Sequence, residues 1–144
     1  ATGEHEKGLA LLQAEVMNNP DDKANLASVR EIFRKTGLAD RGEELVESAR
    51  QQAIEIMNAG TLLAKDGLYA EAIEKMRSAL EKMPRNVRLL LNAAHIMITY
   101  MESSGAQPDI VREARQNLLA ANQLSPGEAR FATLMTKLEG MDRA

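Results

Sequence analysis

The sequence predicts an all-α protein built from antiparallel helix pairs, and three observations carry that prediction. Apolar residues recur at intervals of three and four along most of the chain, as they do on one face of a helix. No run of β-branched residues alternates with polar ones, so no strand is expected. The chain also matches itself. A shift of 34 residues lays Ile56 on Leu90, Ala59 on Ala93, Gly60 on Ala94 and Leu63 on Met97. A shift of 42 lays Ala72 on Ala114, Met76 on Leu118, Ala79 on Ala121 and Pro84 on Pro126. One unit therefore repeats, with eight extra residues in its inter-helix turn, within the stretch TYMESSGAQPD.

Residues 1–20 carry Gly8, Leu12 and Val16 ahead of the Asn19-Pro20 break and read as one helix, a partial unit. In 22–50, Leu26, Val29 and Phe33 mark a helix that the Thr36-Gly37 break ends. Leu45, Ala49, Ala53, Ile56, Gly60 and Leu63 then keep one phase, with no Pro or Gly between Glu43 and Ala59. One continuous helix is expected from Asp40 to Lys65, roughly 39 Å long at about 1.5 Å per residue. The alternative is a bend at Gln51-Gln52 between two shorter helices. Residues 53–86 give the pair 53–66 and 69–83, reversed at Asp66-Gly67 and stopped by Pro84, with Leu80 expected on the inner face. Residues 87–126 give the pair 87–103 and 109–123, on Leu90, Ala94, Met97 and Met101, then Ile110, Ala114, Leu118 and Ala121. The extended turn lets the first of these helices run a turn or more longer. ESSGAQPD is expected to leave the stack as an exposed lobe, because Ser, Gly and Pro disfavour helix. A capping helix at 127–140 closes the chain, with Ser125 as N-cap, Pro126 in the first turn and Glu128 reaching back.

Composition narrows the function. A chain of 144 residues with 44% hydrophobic content can bury one domain's core, and 3% aromatic content leaves Leu, Ile, Val, Met and Ala to fill it. A net charge of −3 with interspersed signs offers no overall field for nucleic acid or an anionic membrane. Cysteine is absent, so there is no disulfide frame or thiolate zinc site, which fits a cytoplasmic setting. No apolar run is long enough for a membrane span, and ATGEHEKG is no signal peptide. The two histidines, His5 and His95, lack metal-ligand spacing, and no G-x-S-x-G or Walker-type loop is present. Glu43, Glu44 and Glu47 read as a solvated face. No active site and no cofactor are expected.

Residues 53–86 closely resemble the tetratricopeptide repeat, a helix-turn-helix unit of about 34 residues. Ile56 stands in the slot usually held by Trp, and Gly60 and Ala72 are the small residues where paired helices touch. Tyr69 follows the Gly67 turn, Met76 replaces the usual Phe, Ala79 is the small contact to the next unit, and Pro84 ends the second helix. Residues 87–126 are similar, with Ala94, Ala114, Ala121 and Pro126 in place. Gly8, Leu12, Val16 and Pro20 resemble a second helix whose first is missing, although Glu15 stands where Ala is usual. Residues 22–50 depart most, with Arg30 where a small residue packs.

The resemblance implies a right-handed superhelix of helix pairs, an α-solenoid, whose concave groove holds an extended peptide or a partner helix. Asn58 and Asn92, 34 residues apart and each two residues after the first apolar slot, are then the groove residues that hold a peptide's main chain. A carboxamide suits that task because it both donates and accepts. Thr61, Lys65, Arg88 and His95 share the face, with Lys65 and Arg88 favouring acidic residues, and Met57 adds an adaptable apolar patch. His95 reads either as a pH-sensitive partner contact or as a groove histidine without a task.

The expected function is thus a non-catalytic protein-interaction module with a protein or peptide partner. The alternative is a structural or oligomerisation element, a homodimer or a fragment packing on the rest of a longer chain. More loosely, IFRKTGLADRGEELVESARQ, EIMNAGTLLAKDGLYAEAIE and PRNVRLLLNAAHIMITYME resemble the helical repeat region that follows a receiver domain in some bacterial response regulators. That likeness implies a signal-transduction output role and a chain that starts in mid-repeat, without a phospho-acceptor pocket of its own.

Overall fold

Helix starts and stops in this chain follow local chemistry. The computed structural model describes the backbone of residues 2–35, 37 and 39–142 and, apart from residues 2–7, 9 and 39–42, their side chains. The described residues form seven helices and no strand: α1 Thr2–Asn18, α2 Lys23–Lys35, α3 Ala39–Lys65, α4 Tyr69–Lys82, α5 Val87–Ser104, α6 Pro108–Leu124 and α7 Ala129–Asp142. Thr36, half of one expected break, and the side chain of His5 lie outside the described residues. Asp22 opens α2 by accepting the Asn25 N–H at 3.0 Å. Asn86 opens α5 in the same way, its side chain accepting the Leu89 N–H at 3.0 Å. After α3 the chain reverses at Gly67, where φ is 80°, and the Leu68 N–H bonds back to Leu63 O at 2.9 Å.

The long helix is continuous. α3 runs 27 residues through Gln51-Gln52 without a break, because nothing there removes a backbone donor or favours a turn. Contacts nevertheless divide the chain within it, into Ala1–Ile56 and Met57–Ala144.

In the first unit, Val16, Leu26, Val29, Phe33, Val46, Ala49 and Ala53 are buried. Val46 takes the core position expected of Leu45, which is half-buried. Arg30 Nε reaches Glu43 Oε2 at 2.9 Å, and Arg50 Nε donates to Pro20 O at 3.1 Å. Arg30 thus stands half-exposed with a carboxylate partner where the repeat pattern asks for a small residue.

In the second unit, α4 folds back on the end of α3. A Cβ placed on Gly60 would lie 2.9 Å from Met76 Cε, so backbone and side chain meet without room for more. Gly60 precedes the turn by about as many residues as Met76 follows it, which makes the two helices antiparallel. α5 packs against α4, α6 and α7, and nine of its residues are buried, from Leu89 to Met101. Arg77 ties α4 to α6: its Nη2 lies 2.7 Å from Glu113 Oε1 and its Nε 2.9 Å from Oε2, with Glu74 as a further partner. These hydrogen bonds hold the guanidinium pKa above its usual value. α7 buries Leu134 and Leu138, and Arg115 Nη2 meets Asp142 Oδ2 at 2.8 Å.

Three expectations change. Leu80 is half-exposed, because Met76, Ala79 and Met83 hold the inner face of α4. The eight-residue insertion is no separate lobe. The turns after α3 and α5 are equally short, residues 66–68 and 105–107, and the extra residues lengthen the end of α5 and the start of α6 instead. Ser103 and Ser104 stay helical by donating to Tyr100 O at 3.0 and 2.7 Å. The closing helix starts at Ala129, two residues later than expected, since Gly127 has φ 88° and cannot be helical. Ser125 therefore caps α6, its N–H bonding to Ala121 O, while its Oγ lies 3.1 Å from Glu128 Oε1.

Candidate binding groove

The helix period places Met57, Asn58, Thr61, Ala64 and Lys65 on one face of α3, and Arg88, Asn92, His95, Ile96 and Thr99 on one face of α5. With Tyr69 from α4 and Arg130 from α7 they line a groove of about 490 Å³, all within the second unit. All seven residues expected from the sequence, Asn58, Asn92, Met57, Thr61, Lys65, Arg88 and His95, border this one space. Met57 requires a correction. It is 2% exposed, so it forms part of the floor and offers no adaptable patch.

The polar side chains differ in what they leave open. Asn58 is exposed on α3. Asn92 is half-buried, and its Oδ1 accepts from Arg130 Nη1 at 2.9 Å. Thr61 Oγ1 donates to Met57 O at 3.2 Å and Thr99 Oγ1 to His95 O at 2.8 Å, so both hydroxyl protons return to their own helices. Tyr69 packs at a tilt on Tyr100, ring centroids 6.3 Å apart at 52°.

Among the described residues that line the groove, the charged ones are Lys65, Arg88 and Arg130 and none is a carboxylate, although the chain as a whole is acidic. Lys65 sits in the last turn of α3, where the helix dipole favours a cation. Arg88 and Arg130 are the second residues of α5 and α7, where the dipole opposes one, and neither first turn holds an acid. The field is felt at His95: burial first, then Arg130 and Lys137, lowers its pKa from 6.5, against a weaker upward pull from Glu102.

Ala64, Tyr69, Ile96, Thr99 and Arg130 line the groove without being expected there, and Arg130 is the one that carries charge, from a helix the sequence presents only as a cap. A signal was present. The 42-residue shift that lays Pro84 on Pro126 also lays Arg88 on Arg130 and His95 on Lys137. Among the described residues no group of three or more His, Asp or Glu could hold a metal ion. No helix among them is long and apolar enough to cross a membrane. Comparison of the chain with family models, with curated proteins and with solved structures gives no match.

Proposed function

We propose that this protein is a non-catalytic interaction module that holds an extended, acidic peptide in the groove between α3, α5 and α7. The observation that carries the reading is the lining itself: among the described residues, two carboxamides 34 residues apart and three cations, with no carboxylate, border one space. Asn58 and the amide nitrogen of Asn92 suit a peptide main chain of any sequence, and the cations select for acidic side chains. Stacking of helix pairs in the manner of tetratricopeptide repeats is part of this proposal. Its support is that first helices meet (Arg130 to Asn92) and second helices meet (Arg77 to Glu113), as repeated pairs would.

A peptide-library pull-down combined with light scattering tests the proposal. A protein that captures acidic peptides supports it; a peptide-blind dimer would favour the oligomerisation alternative. For a captured peptide, replacing Asn58 and Asn92 with Ala is expected to weaken binding by about 1 kcal/mol per site, read by calorimetry. Affinity unchanged in the double variant would remove the asparagines from the mechanism.

A further inference from the structure

The His95 imidazole is held neutral first by burial and then by neighbouring cations, and an anionic ligand would offset the second of these causes. His95 lies midway along the α5 face of the groove, between Asn92 and Thr99 on the same lining surface. Every element that borders it contributes to its surroundings: Lys65 from α3, Tyr69 from α4, Arg88 and Glu102 from α5, Arg130 and Lys137 from α7. No side chain of α6 lines the groove. Partial burial disfavours an imidazolium most, and Arg130 and Lys137 disfavour it further, against a weaker opposing pull from Glu102.

We propose that His95 contacts the bound peptide and takes up a proton when an acidic segment occupies the groove, so that binding strengthens on acidification. The step moves one proton from solvent to the imidazole and breaks no covalent bond. It rests on the peptide-binding reading and adds a residue role and a sign. Carboxylates entering the groove offset Arg130, whose charge helps to keep the ring neutral, and that part of the penalty falls. By linkage, whatever raises the proton affinity of His95 in the complex must raise peptide affinity at low pH by the same factor. Unlike the arginines and lysines, the ring makes this change within the range where aspartate, with a pKa of about 3.9, stays ionised.

The experiment is calorimetric titration of a capped tetra-aspartate peptide into the whole protein at pH 8 and pH 5.5. NMR titration of the His95 ring, with and without peptide, accompanies it. Affinity is expected to rise roughly three- to tenfold at the lower pH, the upper figure being one unit of pKa change. The ring is expected to titrate below 6.5 in the free protein and higher in the complex. His95→Gln is expected to lose the gain on acidification, whereas His5→Gln retains it. Equal affinity at both pH values, a gain that survives in His95→Gln, or a ring whose titration ignores the peptide would overturn the inference and leave the groove as a peptide site. No binding at either pH would overturn both. The NMR measurement uses the unaltered protein, so it decides the matter even if His95→Gln proves poorly folded.

Discussion

Gly60 and Asn86 show how much of this protein rests on single atoms. At Gly60 a leucine would drive its side chain into Met76, which is itself buried, and Gly60→Leu is expected to cost about 1–3 kcal/mol. Gly60→Ala sets about 1 kcal/mol of helix propensity against a shift of the flexible end of Met76, so its melting temperature is expected to stay near that of the parent. Asn86 is 1% exposed and caps α5; Asn86→Ala is expected to lower stability by about 1–2 kcal/mol in urea denaturation. His95 adds a pH dependence whose sign follows from its lowered pKa. The native state binds fewer protons there than the unfolded chain, so the stability involved is present above pH 6.5 and is lost as pH falls through the folded value. Arg130→Gln is expected to shrink that acid-side loss in thermal melts. At this scale the sequence was most informative about the groove. The period of the first helices put seven lining residues on one face, while Arg130 escaped because its role depends on where α7 packs.

Turns decide what the elements can do. Gly105 ends α5 at φ 95° and ψ 152°, a region essentially reserved for glycine, whereas Gly67 after α3 has φ 80°. Gly105→Ala is therefore expected to destabilise by about 1–3 kcal/mol and Gly67→Ala by less, in paired denaturation curves. Helix existence was legible from apolar spacing, and the repeat offsets located both reversals. The fate of the insertion was not. Serine is a poor helix former because its hydroxyl competes for backbone groups, but at a C-terminal turn that same competition satisfies a carbonyl, as Ser103 and Ser104 do at Tyr100. The start of α7 was misplaced for a related reason: Ser-Pro-Gly-Glu looks like a capping box, and only the positive φ of Gly127 shows that the helix begins after it.

Across the whole molecule, burial is unevenly distributed. α5 is the most heavily buried helix described, and it lies against α4, α6 and α7. Its amides are expected to exchange with solvent more slowly than those of α2, where three residues are buried. Native-state hydrogen exchange read by mass spectrometry checks the order. The cations of the groove come from three helices far apart in sequence, which is why a net charge of −3 did not foretell a basic site.

The uninterrupted course of α3 across the division at Ile56 and Met57 has a kinetic consequence. Starting a helix is the costly step, and each residue added afterwards needs only to extend an existing turn. Once the C-terminal half of α3 is ordered against α4, its N-terminal half can grow from a ready-made end instead of nucleating again. Where the later part of the chain orders first, it seeds the earlier part. Gln52 is exposed and lies just on the N-terminal side of the division. A proline there removes a rung of the helix and breaks that relay. Gln52→Pro is expected to split unfolding into two transitions, or to slow the ordering of α1 and α2 relative to α5 in pulse-labelled refolding. A single, unshifted transition would mean that the two units fold without help from the helix they share.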